Sequence, residues 1–166
     1  MLIRMILALS DEMLESKLEQ GIATTDIEVE SSANLGNRWQ RVVQSCADII
    51  VISESVILKP VESGIGLLAS LPEGPAIIVL HDDDSTDTQA NYIASGAHSA
   101  LYSKISETRL IDVLEATVEA RRQFMQLEWN ERRKRQKPKM SDFSSNSEVM
   151  QLFMGEVQQV AASDST

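Results

Sequence analysis

The chain lacks most of the devices that stabilise a protein without a large aliphatic core. It has one cysteine, Cys46, among 166 residues, and only 4% of its residues are aromatic. One cysteine excludes an internal disulfide and any zinc site built from several cysteines. No apolar run approaches the roughly 20 residues that cross a membrane, so we expect no membrane contact. We expect a reduced, cytoplasmic protein in which Cys46 is a small buried hydrophobic side chain, with a reactive thiol as the alternative.

Positive charge is also scarce, and it is unevenly distributed. The net charge is -10, and residues 1–120 carry 7 basic and 19 acidic side chains, whereas residues 121–139 carry 8 and 2. A basic segment of this kind can contact nucleic acid or can be a solvated helical connector. Because the acidic body would repel a phosphate backbone, we expect a connector and no DNA binding. A nucleic-acid-binding arm at residues 132–135 is the alternative.

Apolar runs alternate with amphipathic segments over residues 1–104. The run within Ala47–Ser53 shows no polar alternation, which is typical of a central parallel strand covered on both faces. Strand and helix alternate five times, which indicates an α/β fold: a five-stranded parallel sheet with helices on both faces. The predicted strands are residues 2–9, 26–31, 47–53, 76–80 and 99–103, and the predicted helices between them are residues 11–20, 34–45, 61–71 and 81–95.

The sequence changes character at Ser106. Helix-favouring residues run from there to Gln136 without glycine or proline, and Pro138 follows. We predict a linker helix over residues 106–138 that continues the last helix of a first domain, residues 1–120. Its apolar side chains fall near one stripe, so the first half can pack on the domain and the second half can pair with another copy as a coiled coil. The predicted dimerisation residues are Ile111, Leu114, Val118, Met125 and Trp129.

Residues 1–120 resemble a response-regulator receiver domain. Ile6–Glu12 is similar to the first strand and acidic pair of that family, and Ala47–Ser53 to the strand that carries the phosphorylated aspartate. Pro75–His81 resembles the strand ending in the switch hydroxyl residue, and Gly96–Lys104 resembles the fifth strand with its lysine. The resemblance implies the receiver fold and a part in two-component or phosphorelay signal transduction.

The chain departs from this family at the residues that carry phosphotransfer. Ser53 stands where the aspartate would be, Ser10 replaces one acidic residue of the pair, and His81 occupies the hydroxyl position. Only Asp11 and Lys104 match. A serine without a metal is a poor phosphoryl acceptor, and Mg²⁺ usually needs more than one carboxylate. We therefore predict a pseudo-receiver with no metal, no cofactor and no enzymatic activity, and a non-standard phosphoacceptor at Ser53 is the alternative.

Other residues near these positions have two interpretations each. Asp11 and Lys104 are either an ion pair across the pocket or two solvated charges. His81 is either a pH-sensitive switch or a polar residue at a strand end. Tyr102 is either the signalling aromatic that the resemblance implies or a packing residue. We interpret Asp82–Asp84 as a solvated helix start and not as a metal cluster.

Residues 141–166 carry a second resemblance. Asn146–Phe153, followed by Val157–Thr166, is similar to the opening of the AAA+ ATPase domain of sigma-54-dependent activators. No G-x-x-x-x-G-K-[ST] loop occurs, so we expect no ATP hydrolysis by this chain; a sixth helix folded back on the first domain is the alternative for this segment. We predict the regulatory and dimerisation module of a sigma-54-dependent regulator, cut at the start of its AAA+ domain. Its expected partners are a second copy, that AAA+ domain, and an unidentified protein or small-molecule input.

Overall fold

A computed structural model describes residues 1–33 and 36–136. Five parallel strands form one sheet in the order β2-β1-β3-β4-β5, which confirms the predicted α/β fold with its long C-terminal helix. The strands are β1 (Ile3–Ala8), β2 (Ile27–Ser31), β3 (Ile49–Ser53), β4 (Ala76–His81) and β5 (Ser99–Tyr102). The helices are α1 (Glu12–Ile22), α2 (Arg38–Gln44), α3 (Val61–Ala69), α4 (Thr86–Ala94) and α5 (Glu107–Gln136), with a 3₁₀ turn at Glu54–Val56.

The central strand β3 is buried on both faces, as its unbroken apolar run predicts. Ile50 and Ile52 lie in a cluster with residues of α2, α3 and α4. Ile49 and Val51, which point to the opposite face of the sheet, are also fully buried. None of the helices among the described residues combines the length and apolar character that a bilayer crossing requires.

The chain divides into two units, Met1–Phe124 and Met125–Thr166. The described part of the second unit, residues 125–136, is helical. The segment 141–166, with its AAA+ resemblance and its fold-back alternative, lies outside the described residues.

Two predicted helix starts are wrong, because α2 is capped later than expected and β4 extends further than expected. α2 begins at Arg38 and not at residue 34, since the Asn37 side chain accepts a hydrogen bond from the Gln40 N–H at 3.1 Å. α4 begins at Thr86 and not within residues 81–85, because His81 is still part of β4 and pairs with Tyr102 of β5.

The predicted burial of Cys46 is also wrong, because this side chain is exposed. Cys46 directly follows Ser45, the C-cap of α2, and has φ of +51°, the left-handed conformation that often ends a helix and turns the chain outward. On α1, Met13 is 74% exposed, whereas the charged residue Glu15 is buried.

One face of α5 packs within the first unit. Leu110, Leu114 and Val118 are almost fully buried, and the Ile111 side chain lies against α1, 3.8 Å from where a Cβ on Gly21 would stand. Leu114 and Val118 are therefore core residues, and their assignment to a dimer interface is corrected.

Candidate functional site

The candidate site lies at the edge of the sheet where the parallel strands end. Ser10 follows β1 by two residues, Ser53 ends β3, His81 ends β4 and Tyr102 ends β5. Because carboxyl ends of parallel strands meet at one edge, and the strand order reverses between β1 and β3, this is where ligands bind in open α/β sheets. The structure thus brings the four predicted positions to one edge.

Two serines occupy the centre of this edge. The Ser53 hydroxyl oxygen accepts hydrogen bonds from the Ser10 N–H at 3.0 Å and from the Ser10 hydroxyl at 3.3 Å. Ser53 is only 7% exposed. Its hydroxyl therefore connects the end of β3 to the residue Ser10 after β1. In this position it is poorly placed to attack an incoming phosphoryl donor.

The two residues that match the receiver pattern do not meet. The Asp11 carboxylate caps α1 by accepting from the Met13 and Leu14 N–H groups at 3.0 and 3.1 Å. Lys104 is exposed, and within the described part of the chain no ion pair joins it to Asp11. The two are independent charges.

These residues do not fit the Mg²⁺ ion that receiver domains use. A hard divalent cation prefers several carboxylate oxygens, but the three positions Ser10, Asp11 and Ser53 offer two serine hydroxyls and one carboxylate that already accepts two backbone hydrogen bonds. Over residues 1–33 and 36–136, no group of three or more His, Cys, Asp or Glu side chains is arranged to hold a metal.

His81 is buried without hydrogen bonds. The residue is 1% exposed, and neither ring nitrogen has a partner. Its ring meets Tyr92 of α4 edge to face, with centroids 5.9 Å apart. Burial, followed by the adjacent Glu54 carboxylate, raises the pKa of Tyr92 to about 12. An apolar-like histidine and a neutral tyrosine therefore fill the space beside the end of β4.

The acidic run after β4 accepts hydrogen bonds from hydroxyl groups after β5 and in α4. Asp82 accepts a hydrogen bond from the Ser103 hydroxyl, and Asp83 accepts one from the Thr88 hydroxyl at 2.7 Å. The N–H of Ser103 donates to the His81 carbonyl at 2.8 Å, which holds the end of β5 against β4. Tyr102 is half-buried there, and its signalling role stays a prediction.

Two charged residues that the sequence did not point to order the neighbouring ends of β1 and β2. Glu15, fully buried, accepts hydrogen bonds from the Leu9 N–H at 3.0 Å, the Ser31 hydroxyl at 2.6 Å and the Ser32 N–H at 2.7 Å. Arg38 donates a hydrogen bond to the carbonyl oxygen of the same residue, Leu9. In an amphipathic helix a charged residue is expected to face solvent. The sequence pattern alone therefore could not identify Glu15 or Arg38 as a buried or bridging residue.

Arg38 also connects three segments at this edge. Its guanidinium donates to the Ala33 carbonyl and to the Glu12 carboxylate, each at 3.2 Å. The loop after β2 and the starts of α1 and α2 are therefore held together by the chain's own charged side chains.

Solved structures of receiver domains have a similar arrangement of strands and helices. The signal receiver domain of a LuxO repressor protein from Vibrio parahaemolyticus matches with a TM-score of 0.64 at 16% identity, over 77% of this chain and 98% of that domain. A CheY-like response regulator receiver domain from Methanospirillum hungatei matches with a TM-score of 0.60 at 13% identity, over 74% and 98%. NtrX from Brucella abortus, in complex with ADP, matches with a TM-score of 0.61 at 12% identity, over 97% of this chain and 36% of NtrX.

No family model and no curated protein matches the sequence. The likeness therefore lies in the arrangement of the strands and helices and not in the sequence. The chain has the fold of the response-regulator receiver domains.

Proposed function

We propose that this chain is the regulatory and dimerisation module of a sigma-54-dependent transcriptional regulator whose receiver domain works without phosphorylation. In this role it is not an enzyme. Its inputs are a protein or small-molecule partner, and its output is the assembly of the domain that follows α5.

The observation that carries the proposal is that Ser53, at the carboxyl end of β3, is buried and hydrogen-bonded to Ser10. By the resemblance, Ser53 stands where the acceptor aspartate would be, and its oxygen accepts hydrogen bonds from both donors of Ser10. Glu15 and Arg38 hold the adjoining residue Leu9 through its N–H and its carbonyl oxygen. Burial of Ser53 also argues against the alternative in which a kinase phosphorylates this hydroxyl.

The sigma-54 assignment is supported by the resemblance of residues 146–166 to the opening of an AAA+ domain. The match to NtrX is consistent with it, because NtrX extends well beyond the matched region and is in complex with ADP. A chain of this kind would place α5 between a receiver domain and a nucleotide-binding domain.

Dimerisation belongs to the second unit in this proposal. Leu114 and Val118 are taken up by the core, but Trp129 is 57% exposed and Leu127 is exposed as well. Met125 and Trp129 lie four residues apart on one side of the helix and give an apolar face for pairing with α5 of a second copy, whereas Leu127 lies on the other side.

Intact mass spectrometry tests the proposal. We expect no added phosphoryl group after incubation of the 166-residue chain with acetyl phosphate and Mg²⁺, because Ser53 has no metal and no free lone-pair direction toward a donor. A phosphoryl adduct on the unmodified chain that disappears in Ser53→Ala would contradict the proposal and support a serine phosphoacceptor.

A further inference from the structure

The amino edge of the sheet, opposite the candidate site, holds a charged contact between α5 and the core. Arg121 lies 3.6 Å from the carboxylate of Asp48, the residue just before β3. The same guanidinium donates to the carbonyl oxygens of Glu73 at 2.8 Å and Gly74 at 3.0 Å. Three separate segments, the start of β3, the turn before β4 and α5, therefore meet at Arg121.

The turn is shaped for this contact. Gly74 has φ of +55°, a left-handed conformation that glycine adopts readily, and its N–H donates to the Leu71 carbonyl at 2.9 Å. This backbone course leaves the carbonyls of two consecutive residues facing one guanidinium. Asp48 is fixed as well, because its carboxylate accepts the Arg4 N–H at 3.0 Å.

The neighbouring Arg122 provides a contrast within the same helix. Arg122 pairs with Asp26 and with Glu119, and its side chain and that of Asp26 are 32% and 45% exposed. The side chains of Arg121 and Asp48 are 14% and 18% exposed. A pair withdrawn from water loses more when one partner is removed than a solvated pair does.

We propose that Arg121 and Asp48 form a latch that sets the resting position of the part of α5 that follows Val118, and that breaking this contact loosens that part of the helix. The inference rests on the proposed function, in which α5 is the output. Leu110, Leu114 and Val118 stay in the core, and Asp48 and the Glu73–Gly74 turn are the segments whose displacement would free Arg121. Arg121 is a positioning residue in this account.

Hydrogen exchange on the full 166-residue chain tests the latch. Arg121→Gln and Asp48→Asn should each speed exchange of the α5 amides over residues 119–124 by about tenfold or more, because both remove an ion pair that is largely withdrawn from water, and Arg121→Gln also removes the hydrogen bonds to Glu73 and Gly74. Asp48→Asn keeps an oxygen to accept the Arg4 N–H, so β1 and β3 should stay protected. Arg122→Gln is the matched control and should change the same amides by less than about threefold.

Two further results decide the matter. The double variant Arg121→Gln with Asp48→Asn should exchange no faster than Arg121→Gln alone, because the Asp48 change acts through the contact that the Arg121 change has already removed. Equal effects from Arg122→Gln, or faster exchange spread uniformly over the sheet, would overturn the latch. Phosphoryl transfer to wild-type protein would defeat the proposed function but leave these exchange rates unaltered, so the two failures are distinguishable.

Discussion

Burial of His81 without hydrogen bonds costs stability at the end of β4. Both ring nitrogens lack partners, and leaving a buried polar group unsatisfied costs about 1–3 kcal/mol. The edge-to-face contact with Tyr92 recovers part of that cost.

We expect His81→Leu to raise the free energy of unfolding by about 1 kcal/mol, since the unsatisfied nitrogens disappear and the aromatic contact is lost. Urea denaturation measures it. His98 is exposed, so His98→Leu is the control and should change stability by less than about 0.5 kcal/mol. A loss of stability in His81→Leu would mean that the imidazole has a hydrogen-bond partner.

Cys46 should react slowly despite its exposure. A hydrogen bond with Glu73, then the charge of that carboxylate, raises the pKa of the Cys46 thiol above its usual value. The reactive thiolate is therefore rarer at pH 7–8 than in a free cysteine. The rate of alkylation by iodoacetamide should rise only at higher pH, and Glu73→Gln should move this profile to lower pH. Identical profiles for the two proteins would refute the role of Glu73.

At the scale of elements, α3 is held close to the preceding loop by Gly64. A Cβ at this position would stand 2.6 Å from the Leu58 carbonyl oxygen, whereas a Cβ on Gly66, in the same helix, would meet nothing closer than the Ser95 carbonyl at 3.8 Å. The close packing of α3 against the loop therefore requires glycine at position 64 but not at position 66.

Gly64→Ala should destabilise the protein by about 2 kcal/mol or more, because the loop at Leu58 must move to make room. Gly66→Ala should stabilise it by about 0.5–1 kcal/mol, because alanine favours the helix and nothing obstructs its methyl group. Thermal denaturation of both variants measures the difference. Equal effects of the two changes would show that the close approach at Gly64 is not maintained in solution.

Elements with a strong apolar pattern were predictable from the sequence. β3 and β4 are continuous apolar runs, and burial on both faces follows from that pattern. The start of α2 was not predictable, because several polar residues before it could act as caps and only the fold selects Asn37. The burial of Glu15 was not predictable either, since its partners at Leu9, Ser31 and Ser32 come together only when β1 and β2 pair.

At the scale of the whole chain, the fold shows that part of the basic segment forms ion pairs with acidic residues. Residues 121–139 read as one basic segment in the sequence, but Arg121 and Arg122 are paired with Asp48 and Asp26 of the first unit. Within the described residues, Arg132, Arg133, Lys134 and Arg135 form no ion pair of this kind. The positive charge thus serves partly to attach α5 to an acidic domain.

The location of the candidate site was predictable from the sequence, but the hydrogen bonds and ion pairs within it were not. Ser10, Ser53 and His81 follow apolar runs, so a parallel sheet must bring them to one edge. The hydrogen bonds between Ser10 and Ser53 and the isolation of Asp11 from Lys104 depend on side-chain directions within a few ångströms, which periodicity does not contain.

Sedimentation equilibrium tests the proposed dimer. At tens of micromolar the 166-residue chain should have the mass of a dimer, and Trp129→Glu should shift it toward monomer because a charge would be buried in the apolar face. Met13→Glu, which also places a charge at an exposed apolar position, should leave the mass unaltered. A monomer for the unmodified chain would contradict pairing through the second unit.

The most direct test of a phosphate-independent receiver is the amide NMR spectrum of the chain with and without Mg²⁺ and beryllofluoride, which imitates a phosphoryl group. The account predicts an unchanged spectrum, while Ser10→Asp with Ser53→Asp, which restores carboxylates beside Asp11, should give shifts around these three positions. Shifts centred on Ser53, Asp11 and Lys104 in the unmodified chain would contradict the account, because they would mean that the edge still binds an anion and a metal.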